Sequence, residues 1–140
     1  SKEKWIQKHL QELENHSEED CQPLSEEDLK ALAAQAAKVI PERVRYYAPL
    51  IGVTYGRITI RNQRTRWGSC SSKGNLNFNC LLMLAPTEIL DYVVVHELCH
   101  RKEMNHSKAF WTLVEKVLPD YRQSVQWLKE NGNQIMQRNI

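Results

Sequence analysis

Three of the five histidines in this chain fall between positions 96 and 106. His96 and His100 have the spacing that places two side chains one turn apart on the same helix face, where both imidazoles can bind one zinc ion. Glu97 is rotated by about 100° from His96 around the helix axis, so its carboxylate can lie beside the metal without binding it. A general base for a metal-activated water belongs at that position. The His-Glu-x-x-His pattern therefore predicts the active-site helix of a zinc hydrolase.

The third metal ligand must come from beyond this helix. Asn105 is the best candidate for a left-handed residue that turns the chain and returns His106 to the metal. Glu103, three residues after His100, and Glu115, on the next predicted helix, are the alternatives. We prefer His106 because its imidazole matches the other two ligands. Three ligands leave a fourth position for water, which is typical of a catalytic rather than a structural zinc site.

This arrangement predicts hydrolysis of a peptide bond with one Zn²⁺ ion as the cofactor. Zinc lowers the pKa of a bound water to about 7. Glu97 would take the proton of that water as its oxygen attacks the carbonyl, and would then pass the proton to the leaving amine. A side-chain donor would assist at the developing oxyanion. The candidates for this donor are Tyr92, Arg64, Arg66 and Asn79.

The bulk properties of the chain predict one soluble globular domain. Its 140 residues are enough for a single hydrophobic core. No apolar run approaches the roughly 20 residues that a membrane helix needs, so we expect no membrane partner. The four cysteines form no Cys-x-x-Cys pair, and the first residues, Ser1–Lys4, do not resemble a signal peptide. We therefore expect reduced thiols and a cytoplasmic location.

Helices are predicted on both sides of a central β region. An apolar stripe predicts a helix over 2–16, and Ser25 is predicted to cap a second helix that runs to Ile40. Pro41 is expected to end or kink that helix, with a further helical piece over Glu42–Leu50.

After Gly52 the hydrophobic period changes to that of strands. Strict alternation predicts a strand over 57–61, with Ile58 and Ile60 facing the core. Two further strands are predicted over 64–70 and 75–80, joined by a hairpin turn. Three asparagines, Asn75, Asn77 and Asn79, alternate with apolar residues in the last strand. They indicate either bonds to turn backbone or water, or a polar strip beside a cleft.

The C-terminal part is predicted to be helical. The helix with the histidine pair should begin near Pro86 or Thr87 and end soon after Lys102. Ser107 is predicted to cap a helix over 108–117, and Pro119 to begin a last helix that Asn131 and Gly132 close. The chain is therefore an α+β protein with N-terminal helices, a small mostly antiparallel sheet and C-terminal helices. We expect residues 1–140 to form a single domain, with 1–24 as a helical extension.

Two segments resemble the YgjP-like metallopeptidases, which are related to the SprT-like and WLM-type zinc proteases. One segment is 61–75, with Arg64-Thr65-Arg66-Trp67-Gly68 at its centre; the other is 91–100, followed by Asn105-His106-Ser107 and Phe110-Trp111. The resemblance extends from about Pro41 to Gly132. It implies a zincin-like fold with His96, His100 and His106 as zinc ligands and Glu97 as the catalytic residue. It also implies that Arg64, Arg66, Trp67 and Gly68 help to shape the site. Together with Tyr92 and Asn79, the first three are our candidates for substrate binding.

The basic residues are unevenly distributed. From Leu50 to Thr87 there is no aspartate or glutamate, whereas five cations occur there: Arg57, Arg61, Arg64, Arg66 and Lys73. Either they form a solvated face balanced by acids elsewhere, or they bind nucleic acid or an acidic partner.

Two functions remain from the sequence. One is a zinc metallopeptidase that acts on a protein or peptide. The other is a protein- or nucleic-acid-binding adaptor module whose zinc site is structural or vestigial. Glu97 favours the enzyme, because a purely structural site needs no carboxylate beside the metal.

Overall fold

The computed structural model describes residues 23–138. Its helices and strands in chain order are α1 (Glu26–Ile51), β1 (Ile58–Arg61), β2 (Gly68–Cys70), β3 (Leu76–Asn79), a 3₁₀ helix (Cys80–Leu84), α2 (Thr87–Cys99), α3 (Lys108–Val117) and α4 (Tyr121–Gln137). This is an α+β fold, as the sequence predicted. The helix predicted over 2–16 lies outside the described residues.

The three strands form a mixed sheet in the order β1-β3-β2. β2 runs antiparallel to β3, but β1 runs parallel to it, so the expectation of a mostly antiparallel sheet is wrong for β1. After β1 the chain forms β2 at the opposite edge of the sheet, and β3 then fills the position between them. Leu76 and Phe78 of β3 are buried, as their alternation predicted.

Helix α1 begins at a capping box. The Ser25 hydroxyl accepts the N–H of Asp28, and the Asp28 carboxylate accepts the N–H of Ser25. The helix then continues through Pro41 to Ile51, so the break expected there is absent. A proline removes one backbone hydrogen bond, but Ile40 and Val44 on either side of it are fully buried. Their packing, of the order of 2 kcal/mol each, holds the helix together across that position.

Helix α2 is the central element of the core. All residues from Ile89 to Val95 are buried, and so are Leu98 and Cys99. Burial on every side explains why its sequence shows no clear apolar stripe. The largest fully buried side chains around it are Phe78, Phe110, Ile40, Leu76, Leu81, Leu82, Ile89, Leu98, Val44, Val94, Val95 and Val114. The end of α2 is therefore held rigidly in place.

A polar cluster joins α1 to the first half of α2. Arg43 donates from Nε to Asp91 Oδ1 and from Nη2 to Asp91 Oδ2, each over 2.8 Å. The Tyr47 hydroxyl donates to Asp91 Oδ2 over 3.0 Å. Burial, and then the nearby Asp91 charge, raise the pKa of Tyr47 to about 12. These bonds fix α2 against α1.

Helix α4 is longer than predicted, because it continues through Asn131 and Gly132 to Gln137. The Asn131 amide donates back to the carbonyl of Trp127 over 3.0 Å, within the helix. The Trp67 ring packs at Gly132, where a Cβ would lie 3.5 Å from it, an ordinary van der Waals contact, and the glycine does not end the helix. None of the described helices has the length and apolarity needed to cross a membrane.

Candidate metal centre

The histidines are brought together by the end of α2 and the turn that follows it. His96 lies in the last turn of α2, and His100 is its C-cap. The N–H groups of Lys102 and Glu103 both donate to the Cys99 carbonyl, over 3.1 and 3.0 Å. This turn needs no left-handed residue, since no non-glycine residue in the described part has a positive φ. The conformation predicted for Asn105 is therefore wrong.

The next segment is fixed by α3. The Ser107 hydroxyl accepts the N–H of Phe110 over 3.3 Å, as predicted for a helix cap. Because His106 immediately precedes this cap, its backbone is held at the start of α3. The turn after α2 and the cap of α3 together return His106 to the other two histidines.

The three imidazoles converge. One ligand atom from each of His96, His100 and His106 lies within 4.8 Å of the others, and Nε2 of His96 is 3.2 Å from Nε2 of His106. Two nitrogens that bind one tetrahedral zinc ion at roughly 2.0–2.1 Å lie about 3.3 Å apart, so this spacing fits zinc. Within residues 23–138, neither Glu103 nor Glu115 belongs to the cluster.

The other ring nitrogens have partners that orient the imidazoles. His100 Nδ1 is 3.0 Å from the carbonyl of Glu103, and His96 Nδ1 is 3.1 Å from Glu97 Oε2. With Nδ1 donating in each case, Nε2 is the acceptor that can bind a metal. Burial, followed by the charges of His96 and His100, lowers the pKa of His106. The neutral form that a metal requires is thereby favoured.

Aromatic side chains of α3 and α4 support the imidazoles. The Phe110 ring stacks on His100 with centroids 4.5 Å apart, and Trp111 stacks on His106 at 5.9 Å. Tyr121 in turn stacks on Trp111 at 5.3 Å. In the sequence Phe110 and Trp111 entered as part of the family resemblance, and no local pattern distinguishes a residue that packs on a ligand from one in the core.

Glu97 and Tyr92 lie beside this cluster. The Glu97 side chain is buried, with its carboxylate against His96. Tyr92 is buried one turn earlier, and its ring meets that of His96 edge-on, with centroids 5.7 Å apart. Burial, followed by the charge of Glu97, raises the pKa of Tyr92, so its hydroxyl stays protonated.

The Asn79 side chain is enclosed by the protein, whereas a side chain that binds substrate would have to be accessible. It is buried, and its amide donates to the carbonyls of Gln63 and Arg66 over 2.7 and 2.9 Å. Its Oδ1 accepts the N–H of Leu81 over 3.0 Å. Asn79 thus holds the segment 62–67, which carries the exposed Arg64 and Arg66. This segment replaces the first half of the strand predicted over 64–70.

The remaining predicted residues are placed as follows. Trp67 is half-buried and packs on α4 at Gly132. Asn75 Oδ1 accepts a hydrogen bond from the backbone N–H of Arg57, and Asn77 Oδ1 accepts one from Nε of Arg61. Both asparagines therefore bond to β1 or to the residue just before it. The five cations of the acid-free stretch, Arg57, Arg61, Arg64, Arg66 and Lys73, are all exposed.

Comparisons with known proteins give a family and a fold. Residues 25–131 match the family model described as YgjP-like, metallopeptidase domain. A UTP pyrophosphatase of Escherichia coli is 37% identical to this chain over 60 residues. That alignment covers 43% of this chain and 36% of the relative, so only about a third of the relative's length is matched.

Two crystal structures of metallopeptidase zymogens are similar. Abylysin from Pyrococcus abyssi has a TM-score of 0.60 and 23% identity, covering 73% of this chain and 99% of that one. Jannalysin from Methanocaldococcus jannaschii has a TM-score of 0.53 and 20% identity, covering 62% and 93% of the two chains. At this identity the likeness shows the fold alone, which is that of the zincin-like metallopeptidases.

Proposed function

Because this chain belongs to the YgjP-like metallopeptidase family, we propose that it is a zinc-dependent hydrolase of peptide bonds with Glu97 as the general base. The observation that carries this proposal is the convergence of three imidazole nitrogens, two of them 3.2 Å apart. His96, His100 and His106 would hold one ion and leave a position for water. Zinc held there would supply Lewis acidity, which acidifies a water and polarises the carbonyl under attack.

Residues of the chain supply the proton transfers and the orientation. Glu97 takes a proton from the attacking water and returns it to the leaving amine. Its burial keeps bulk water away from the carboxylate. The Glu103 carbonyl and the Phe110 ring hold His100 in the orientation that presents Nε2.

The sheet offers a feature that favours an extended peptide. Within the described part of the chain β2 pairs only with β3, so it is an edge strand. Its first residue, Gly68, lies against the Glu97 side chain. A peptide that adds to a strand edge gains backbone hydrogen bonds, and here it would pass close to the proposed general base.

A second candidate reaction is hydrolysis of a nucleotide phosphoanhydride. It is favoured by the similarity to the Escherichia coli UTP pyrophosphatase and by the five exposed cations of the acid-free stretch. Arginine side chains bind phosphate in a bidentate manner, and the same water activation would serve attack at phosphorus. The same surface would also bind nucleic acid weakly, with a steep salt dependence.

The test compares both reactions in the wild type, Glu97→Gln and the matched control Glu103→Gln. Zinc content is measured first; casein cleavage is then followed by new amino termini, and UTP hydrolysis by pyrophosphate release. We expect Glu97→Gln to keep zinc and lose about 10²–10⁴-fold in rate, while Glu103→Gln stays near wild type.

Activity on UTP alone would replace the peptidase proposal by the second candidate. A zinc-loaded wild type that is inactive on both would favour the adaptor module.

A further inference from the structure

The β2–β3 hairpin lies against α2 with almost no space at Gly68. A Cβ atom at this position would lie 3.2 Å from Cγ and 3.3 Å from Oε2 of Glu97, and 3.1 Å from the carbonyl oxygen of Asn77. These distances are tighter than ordinary van der Waals contacts of 3.4–4 Å. The absence of a side chain at position 68 therefore sets how closely the strand approaches the Glu97 carboxylate.

A second glycine joins the hairpin to the turn that follows α2. A Cβ at Gly74 would lie 2.6 Å from the guanidinium carbon of Arg101, and Gly74 has a φ of 89°. Arg101 donates from Nε to the Thr54 carbonyl over 2.9 Å and from Nη1 to the Ser72 carbonyl over 3.4 Å. Glu97 lies in the last turn of α2 and Arg101 directly follows its C-cap, so the hairpin contacts both the helix end and the turn after it.

Neither side of the Gly68 contact is free to move away. Gly68 pairs with Phe78 in the sheet, and the carbonyl of the preceding Trp67 accepts the N–H of Asn79 over 2.9 Å. On the other side, Glu97 Oε2 is held 3.1 Å from His96 Nδ1. The carboxylate is thus enclosed between a fixed strand and a fixed imidazole.

We propose that Gly68 is a positioning residue for Glu97, and that the Gly74–Arg101 contact anchors the hairpin that holds it. The backbone of β2 contacts the Glu97 side chain and keeps its carboxylate beside His96. This inference rests on the proposed role of Glu97. A methyl group at position 68 would displace the carboxylate while leaving the three imidazoles in place.

The test is Gly68→Ala in the zinc-loaded protein, with Ser69→Ala as the matched control on the same strand. The contacts at 3.1–3.3 Å require the neighbouring atoms to give by a few tenths of an ångström. Since a misplacement of about 1 Å costs about 100-fold in rate, we expect kcat to fall by about 3- to 10-fold with KM and zinc content unchanged. Ser69→Ala should keep wild-type kcat. In a Glu97→Gln background, Gly68→Ala should cause no further loss, because its effect passes through Glu97.

A readout independent of activity is the ¹⁵N chemical shift of His96 Nδ1. In Gly68→Ala it should move toward the value in Glu97→Gln, while that of His100 Nδ1 stays fixed. If Gly68→Ala does not fold, Arg101→Ala releases the anchor without a clash and should lower kcat in the same direction with KM unchanged. An unchanged kcat, or a loss that persists in Glu97→Gln, would overturn the inference. If the wild type hydrolyses neither substrate, the ¹⁵N shift alone decides: a His96 Nδ1 shift in Gly68→Ala equal to that of the wild type would overturn the inference.

Discussion

Helix α2 carries two polar clusters, one in its first half and one at its end, and they differ in the groups that they bring together. Asp91 and His100 are buried to a similar degree. Both Asp91 oxygens accept bonds from Arg43, and one also accepts the Tyr47 hydroxyl. In the histidine cluster, by contrast, Nε2 of His96 faces Nε2 of His106 at 3.2 Å, and which nitrogen carries a proton depends on the tautomers. The Asp91 cluster is thus closed and stabilises the fold, whereas the histidine cluster is open, in that its converging nitrogens could bind a cation.

The largest effect should come from breaking the open cluster. We expect His100→Ala to lose zinc and to reduce hydrolysis to the level of the chelator-treated wild type, because two imidazoles bind a metal less tightly than three. Zinc content by elemental analysis and the rate on the preferred substrate are the measurements. Full zinc occupancy in this variant would mean that another group completes the site and that the comparison is wrong.

Breaking the closed Asp91 cluster should have the opposite effect, a loss of stability without a loss of zinc. Asp91→Ala removes the acceptor of Arg43 and Tyr47, and should lower the free energy of unfolding while zinc content stays at the wild-type level. Breaking a fully buried pair costs about 3–5 kcal/mol. Because the Arg43 side chain is 32% exposed, we expect about 2 kcal/mol. Urea denaturation of the zinc-loaded protein measures this.

The matched control for this prediction is the double variant Arg43→Met with Asp91→Leu, which replaces both charges with apolar groups. It should recover much of the lost stability, since no charge remains without a partner. Loss of zinc in Asp91→Ala would show that the two ends of α2 are not independent.

The two clusters also differ in how far the sequence could predict them. His96, His100 and the Ser107 cap are close in the chain, so helical spacing and capping rules predicted them, whereas the turn that returns His106 was predicted with the wrong conformation at Asn105. Arg43 and Asp91 are 48 residues apart, and no local pattern connects them. The same holds for Gly68 and Glu97, whose contact depends on the docking of a hairpin.

The errors in the predicted elements have a common cause. Pro41 and Gly132 are helix breakers in isolation, yet both lie inside helices. In each case packing offsets a local penalty: the buried Ile40 and Val44 around the proline, and the Trp67 ring against the glycine. The parallel pairing of β1 with β3 is likewise a property of the whole sheet.

Asn79 extends the comparison to a closed cluster outside α2. Asn79→Asp keeps the shape of the side chain but replaces its two donors to the Gln63 and Arg66 carbonyls with acceptors. Because the new carboxylate would be buried and would face two carbonyl oxygens, we expect a loss of unfolding free energy above the about 1–3 kcal/mol of a neutral group without a partner, with zinc retained. Hydrogen exchange of residues 62–67 should become faster. Unchanged protection of that segment would show that other contacts hold it.

The smallest effect should come from the capping box of α1, a closed cluster that lies at the surface. Bonds from the backbone N–H and the hydroxyl of Ser25 hold the pKa of Asp28 below its ordinary value of 3.8. A carboxyl whose pKa is depressed by folding contributes stability above pH 3.8 and loses it as the pH falls through the folded value. Ser25→Ala should therefore lower the melting temperature slightly at pH 7. The difference in melting temperature from wild type should shrink below pH 3.8, where Asp28 takes up a proton.

A difference that stays constant from pH 7 to pH 3 would assign the whole effect to the Ser25 hydroxyl and none to the Asp28 charge.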